Sequence, residues 1–163
     1  MRNKAIPTAA WFIPLAPLLL SAAIYFGEFQ SSSFLFINRL TQALPDVLWA
    51  GLTFLGNGWG IFAIAFPLLL IAPRLLTAGL FAGAISAIAS SILKPLFDLP
   101  RPAGLLANDT FYRIGEPLLN KAFPSGHTLT AFAIASALYF SCDSQKRRPL
   151  LGLFGVACLV GLS

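Results

Sequence analysis

Residues 75–102 read LLTAGLFAGAISAIASSILKPLFDLPRP. The first part, Leu75 to Leu93, contains no charged residue, and about 20 apolar residues are enough for one helix to cross a bilayer. Gly, Ala and Ser recur along it, and small residues let membrane helices approach each other closely. We therefore predict a membrane-crossing helix that packs tightly against a neighbouring helix and ends at the polar sequence beginning with Lys94.

The composition of the whole chain agrees with a membrane environment. Charged residues make up 10% of the 163 residues and hydrophobic residues 57%, with a mean hydropathy of +0.78, whereas ordinary soluble domains carry about 25% charged residues. A soluble chain of this length could not bury so much apolar surface in one core. We predict an all-α, polytopic membrane helical bundle that forms a single domain over residues 1–163.

Four other apolar segments extend the bundle to about five crossings. They are Ala9 to Phe26, a stretch within Val47 to Ala72, His127 to Phe140, and Leu150 to Leu162. A secretory signal peptide is the alternative interpretation of the first segment. Its length and the apolar sequence that follows favour a membrane helix.

Two segments of the amino-terminal half predict shorter features. Glu28 to Asp46 has apolar residues at helical spacing and predicts an interfacial helix that Pro45 breaks. The glycine-rich sequence from Gly56 to Gly60 predicts a helix break near the membrane surface, with the second crossing mostly after it.

Loop charges predict the orientation. With a cytoplasmic amino terminus, the inner side carries most of the basic residues, as the positive-inside rule requires. These inner residues are Arg2, Lys4, Arg74, Lys146, Arg147 and Arg148. The outer side then carries Glu28, Asp46, Asp98, Asp109 and Glu116. Four basic residues also lie outside, against the trend, so a functional explanation is expected for them: Lys94, Arg101, Arg113 and Lys121.

The first polar cluster, KPLFDLPRP, follows the Leu75–Leu93 helix. Pro95 and Pro100 are expected to stop that helix and to stiffen the turn after it. The ammonium of Lys94 and the planar guanidinium of Arg101 together suit phosphate oxygens. The alternative is that both side chains only reach from the bilayer edge toward water.

The second cluster, Pro124-Ser125-Gly126-His127, directly precedes an apolar helix. A helix amino terminus has free N–H groups and a partial positive charge, which attract anions. Ser125 provides a hydroxyl, Gly126 allows close approach of a ligand to the backbone, and His127 can transfer a proton near neutral pH. The alternative is an ordinary helix cap with an incidental histidine.

Together, the two clusters resemble the first two signature motifs of the type 2 phosphatidic acid phosphatase family, K-x6-R-P and P-S-G-H, in the same order. The resemblance implies a six-helix membrane fold and metal-independent removal of phosphate from lipid phosphates or diphosphates. It also implies that Lys94, Arg101, Ser125 and Gly126 bind the phosphate and that His127 protonates the leaving group.

The third motif of that family, S-R-x5-H-x3-D, supplies the nucleophilic histidine. This sequence contains one histidine, His127, and only Ser163 stands where that motif begins. We therefore expect a carboxy-terminally incomplete domain, a fragment or a natural truncation, with about five of the six helices and no turnover of its own. A non-catalytic lipid-phosphate-binding protein, a membrane scaffold or half-transporter, and haloperoxidase-like chemistry are the alternatives, the last disfavoured by the membrane composition.

No cofactor or metal site is predicted, because the sequence has no CxxC spacing and no histidine-rich or carboxylate cluster. Cys142 and Cys158 are interpreted as structural. No basic stripe with interleaved aromatics indicates a nucleic-acid partner. The expected partners are the lipid bilayer and a lipid phosphate or polyprenyl diphosphate, at the periplasmic face if the host is bacterial. The sequence predicts neither the individual lipid nor the oligomeric state. Phe111, Tyr112 and Arg113 are interpreted as loop packing rather than headgroup contacts.

Overall fold

The computed structural model describes residues 29–107, 109–115, 119–143 and 147–163, together with three isolated positions at 19, 23 and 27. In this part of the chain all regular structure is helical, which confirms the all-α prediction. The helices are α1 (Gln30–Thr41), α2 (Asp46–Gly56), α3 (Gly58–Ala65), α4 (Leu68–Ile71), α5 (Pro73–Phe97), α6 (Pro102–Leu105), α7 (Gly126–Ser141) and α8 (Arg147–Leu162). Apart from the isolated positions 19 and 23, the first predicted crossing lies outside the described residues.

The predicted crossing at Leu75 to Leu93 forms the longest helix, α5, with 25 residues and a length of about 37 Å at 1.5 Å per residue. With α6 it makes the one stretch of the described residues that is long and apolar enough to cross a membrane. Only 17% of its most apolar window is buried by protein. The number of about five crossings stays a prediction, because the other apolar helices are shorter.

One face of α5 consists of small residues and packs against α7. A Cβ atom added to Gly79 or Gly83 would lie 3.9 or 3.8 Å from the side chain of Ile134. One turn further, the Ser86 hydroxyl lies 3.0 Å from the Thr130 hydroxyl and donates to the Gly83 carbonyl at 2.8 Å. Because small side chains bring the two backbones together, α5 and α7 form a close antiparallel pair.

The opposite face of α5 is uncovered and apolar. Its large side chains are 59–73% exposed and recur every three or four residues, at Phe81, Ile85, Ile88, Ile92 and Leu96. A stripe of this kind would be costly in water. It is the surface expected of a helix whose solvent is lipid.

Replacing Gly83 by Leu should separate α5 from α7. Alanine would fit, since its Cβ would make ordinary contact with Ile134, but a leucine side chain has no space there. We expect Gly83→Leu to cost about 1–3 kcal/mol of stability and to lower the thermal midpoint in detergent. Gly152→Leu is the matched control, because a Cβ on Gly152 in α8 meets nothing within 4 Å. Equal midpoints for the two variants would contradict this packing.

Helix α8 runs antiparallel to α7 along its other side. Phe154 of α8 contacts Phe132 at a ring-centroid distance of 6.3 Å. Near the end of α8, a Cβ on Gly161 would lie 3.3 Å from Thr128. The end of α8 therefore lies at the same end of the bundle as the start of α7.

Helix α2 completes the core of the described residues. Trp49 and Leu52 of α2 are buried against Val160 of α8, with Leu55 and Ala131 packed around them. The indole N–H of Trp49 is not left unpaired, since it donates to the Thr41 carbonyl at 2.9 Å. This cluster joins α2, α7 and α8 directly below the second polar cluster.

The predicted helix break in the glycine-rich sequence is confirmed. Helix α2 ends at Gly56, and Asn57 caps α3 by accepting a hydrogen bond from the Gly60 N–H at 3.0 Å. A second interruption separates α3 from α4 at Phe66 and Pro67, where proline cannot donate the next helical hydrogen bond. Residues 47–72 therefore form three short helices rather than one continuous crossing.

Helix α1 lies within the segment predicted as an interfacial helix and is tied to the long outer loop. Asn38 donates to the Tyr112 carbonyl at 2.7 Å and accepts from the Tyr112 N–H at 2.9 Å. The Tyr112 hydroxyl donates to Asp46 at 2.7 Å, and this hydrogen bond raises the pKa of the phenol. Phe34 packs edge-on against Phe111. Phe111 and Tyr112 therefore serve loop packing.

Candidate functional site

Lys94 lies in the last turns of α5, on the face that packs against α7. The prediction that Pro95 stops this helix was wrong, because α5 continues through Pro95 to Phe97. Proline inside a helix removes the hydrogen bond to the carbonyl four residues earlier. The loss is one bond, to the Ser91 carbonyl, and the final turn still forms because the Asp98 N–H bonds to the Lys94 carbonyl.

The end of α5 depends on a left-handed residue. Asp98 has φ 39° and ψ 38°, and its N–H donates to the Lys94 carbonyl at 3.0 Å. Aspartate tolerates this conformation better than most residues. The chain reverses direction here, so residues 99–101 leave the helix in extended form.

Two backbone hydrogen bonds join the first cluster to the segment before the second. The Arg101 N–H donates to the Leu119 carbonyl and the Ala122 N–H donates to the Leu99 carbonyl, both at 2.8 Å. Although about twenty residues separate them in sequence, the two polar clusters therefore lie side by side.

The same contact orients the Arg101 side chain. Its Nε–H donates to the Asn120 carbonyl at 3.2 Å. Among the described residues this is the only hydrogen bond of the guanidinium. The terminal N–H groups remain available for an anion, because a guanidinium has five donors.

The second cluster begins α7 as predicted. Ser125 is the N-cap, with its hydroxyl accepting a long hydrogen bond of 3.4 Å from the Thr128 N–H. Gly126 and His127 are the first two residues of the helix, and their N–H groups have no partner within a helix. The start of α7 thus presents backbone donors and a partial positive charge.

Lys94 reaches this helix start across the α5–α7 contact. A Cβ atom on Gly126 would lie 3.6 Å from the Lys94 Nζ and 3.5 Å from the Ser90 Oγ. Since Gly126 has no side chain, the ammonium can approach the backbone closely. Lys94 therefore continues the small-residue face of α5, the face that packs against α7.

His127 packs against the end of α2. A Cβ on Gly56 would lie 2.8 Å from the His127 Cβ, 3.1 Å from its Cγ and 2.7 Å from a methyl of Val160. The imidazole side is therefore in direct contact with a glycine backbone. His127 directly follows Gly126, which Lys94 approaches, and the backbone of Arg101 pairs with Leu119. The five predicted site residues therefore lie at one end of the bundle.

The positive charge at this end has no carboxylate partner among the described residues. Within the described part of the chain, neither Lys94 nor Arg101 forms an ion pair with a carboxylate. Two cations, a capping hydroxyl and free backbone N–H groups are all donors, and they lie at the same end of the bundle. Donors of these kinds are the ones that proteins use to bind oxyanions. In the same described part, no three His, Cys, Asp or Glu side chains are grouped as metal ligands.

Sequence reasoning missed three residues that build this site. Ser90 and Gly56 were interpreted as packing and a helix break, and Asn120 was not considered. Ser90 could have been found, because it precedes Lys94 by one helical turn and therefore shares its face. The contacts of Gly56 and Asn120 are tertiary and have no local sequence signal.

These features define a helical protein in which two antiparallel helices bring Lys94, Ser125, Gly126 and His127 to one end of the bundle. The sequence model of the PAP2 superfamily matches residues 75–163, which include both polar clusters and more than half of the chain. The chain belongs to the PAP2 superfamily. This confirms the resemblance to the type 2 phosphatidic acid phosphatases.

A solved structure supports the same assignment. The crystal structure of LpxE from Aquifex aeolicus matches with a TM-score of 0.66 and 28% sequence identity, over 82% of this chain and 78% of that one. No curated protein sequence matches the chain significantly. Family membership and the LpxE-like fold support a lipid phosphatase.

Replacing Gly56 by Ala should displace His127. The added methyl would approach His127 and Val160 to below 3.0 Å, so one of the helices must shift. We expect a loss of about 1–3 kcal/mol and altered imidazole resonances in the ¹⁵N-histidine spectrum. His127 is the sole histidine, so the signals are unambiguous. Gly51→Ala in the same helix, with nothing within 4 Å, is the control; unchanged imidazole signals in Gly56→Ala would refute the contact.

Proposed function

We propose that this domain, together with the second histidine that the family resemblance implies, removes phosphate from a lipid phosphate or a polyprenyl diphosphate at the membrane surface, by a metal-independent phosphohistidine mechanism. The observation that carries the proposal is the pair of cations beside the start of α7, neither of them neutralised by a carboxylate of the described residues. Half-buried cations without a partner are unfavourable. An anionic ligand supplies the missing partner.

In this proposal, Lys94 and Arg101 bind the oxygens of the phosphate. Lys94 acts as a point charge and Arg101 as a planar donor, while Ser125 and the Gly126 N–H complete the phosphate-binding cradle. Because the donors are held by α5, α7 and the loop contact at Asn120, they need little rearrangement when charge develops on the phosphoryl oxygens. Stabilisation of this kind usually makes the largest catalytic contribution.

His127 is proposed to act as the general acid. When the phosphorus–oxygen bond to the lipid breaks, its imidazolium donates a proton to the departing oxygen, which leaves as an alcohol or a phosphate. The nucleophile implied by the family resemblance is a second histidine, which accepts the phosphoryl group and later releases it to water. The contact between His127 and Gly56 supports the orientation that we propose for His127.

The 163 residues contain His127 as their sole histidine, so the nucleophile is not among them. The end of α8 lies beside Thr128, at the end of the bundle where the resemblance expects the third motif. We therefore propose that these 163 residues bind lipid phosphates without turnover. This observation also favours the second candidate, a non-catalytic lipid-phosphate-binding protein.

Binding of orthovanadate, a phosphate analogue, to the chain in lipid nanodiscs tests the cradle. We expect Lys94→Met and Arg101→Gln each to weaken binding roughly ten- to a hundredfold, because a hydrogen bond to a charged group contributes about 1.5–3 kcal/mol. Lys121→Met is the control, since it removes a cation of the same loop that the proposal leaves outside the cradle. Equal affinities in all variants would reject the phosphate site.

The same preparation tests the missing nucleophile. Phosphatidic acid in the nanodisc should bind, and release of inorganic phosphate should stay at background. Turnover above background that His127→Ala abolishes would contradict the proposed absence of the nucleophile.

We also propose that the domain is integral to the membrane, with a cytoplasmic amino terminus and the site at the outer face. Arg74 and Asp143 belong to the end of the α5–α7 pair opposite to Lys94 and Gly126, and the basic residues Arg147 and Arg148 follow at that inner end. The bias of basic loop residues sets orientation. The uncovered apolar face of α5 supports lipid as its surroundings.

Cysteine labelling in intact cells checks this orientation. In a Cys142→Ser, Cys158→Ser background, a membrane-impermeant maleimide should label Asp109→Cys before lysis and Asp143→Cys only after lysis. Both positions are exposed in the structure, so access depends on the membrane side. The reverse pattern would invert the proposed topology.

A further inference from the structure

Ser90 is a buried serine on the small-residue face of α5, one turn before Lys94. It is 7% exposed, and within the described part of the chain its hydroxyl has no hydrogen-bond partner. The described residues contain no fully enclosed side-chain polar atom without a partner, so this hydroxyl keeps access to the gap beside it, although the fold itself gives it no hydrogen bond. The position therefore calls for an explanation.

The Ser90 hydroxyl is directed at the start of α7. Its Oγ and the Lys94 Nζ lie 3.5 and 3.6 Å from one point, the position of a Cβ on Gly126. The hydroxyl thus faces the same gap as the proposed phosphate-binding ammonium. It also lies beside the helix terminus whose N–H groups are free.

The neighbouring serines of α5 behave differently. Ser86 is also buried, but its hydroxyl is bonded to Gly83 and faces Thr130 at 3.0 Å. Ser91 is exposed, and its hydroxyl donates to the Ala87 carbonyl at 2.9 Å. Of these three serines, only Ser90 is a buried residue whose hydroxyl makes no hydrogen bond in the described structure.

We propose that Ser90 is a further phosphate-binding residue, whose hydroxyl donates to an oxygen of the phosphate held by Lys94 and the Gly126 N–H. The assignment rests on the proposed function and adds a neutral donor to its cradle. A hydroxyl suits this place because it supplies a donor without introducing negative charge that would repel the ligand. The ligand provides the partner that the fold does not.

This role has a signature that a packing role does not share. Because the hydroxyl makes no hydrogen bond in the described structure, Ser90→Ala should leave the thermal midpoint of the ligand-free chain unchanged. The same change should weaken orthovanadate binding in nanodiscs about three- to tenfold, the effect of one neutral hydrogen bond. In Ser90→Ala, the affinity for orthovanadate should therefore fall without a fall in the thermal midpoint.

Matched variants complete the experiment. Ser90→Cys keeps nearly the same volume with a poor donor, so its orthovanadate affinity should fall as in Ser90→Ala. Ser91→Ala should leave the affinity unchanged. Ser86→Ala should lower the thermal midpoint without weakening orthovanadate binding, because it removes a partner of Thr130.

Three results would overturn the assignment. If Lys94→Met weakens orthovanadate binding and Ser90→Ala does not, Ser90 is outside the site and the proposed function stands. If Ser90→Ala lowers midpoint and affinity together, its role is packing. If neither Lys94→Met nor Ser90→Ala changes the affinity, the proposed phosphate site fails as well.

Discussion

The close contact between α5 and α7 is the constraint on which the rest of the structure depends. Glycines at positions 79 and 83 bring the two backbones together, and the hydroxyl pair of Ser86 and Thr130 fixes their register. Because the same face of α5 continues to Lys94, this register delivers an ammonium to the start of α7. Packing in the apolar part of the bundle thus determines the geometry of the polar end.

The α5–α7 pair does not position Arg101 and His127, which depend on the outer loop and on helix α2. The backbone hydrogen bonds between residues 99–101 and 119–122 hold Arg101 beside the segment that precedes α7. Helix α2 supports His127 from the opposite side through Gly56. The site is therefore assembled from three directions, with rigid helices on two of them and a hydrogen-bonded loop on the third. Such support is what a preorganised anion site requires.

The uncovered face of α5 and the cations at the polar end of the bundle both fit a position in a lipid bilayer. Large apolar residues opposite the α7 contact have no protein cover within the described part of the chain, so lipid is the natural surrounding. The cations at the helix end would then lie where lipid headgroups carry their phosphates. A phosphate site at this depth suits a substrate that stays in the membrane while its headgroup reacts.

The sequence by itself determined the helical class, the α5 segment and the two polar clusters, because hydrophobic length, helix caps and short motifs are local properties. It also predicted the break after Gly56. It misjudged Pro95, since proline removes only one helical hydrogen bond and the residues after it can still complete a turn. Only the tertiary structure decided that the face shared by Ser90 and Lys94 meets the start of α7 and that Gly56 supports His127. Both facts depend on which helix faces come together, and no local pattern encodes the partner of a face.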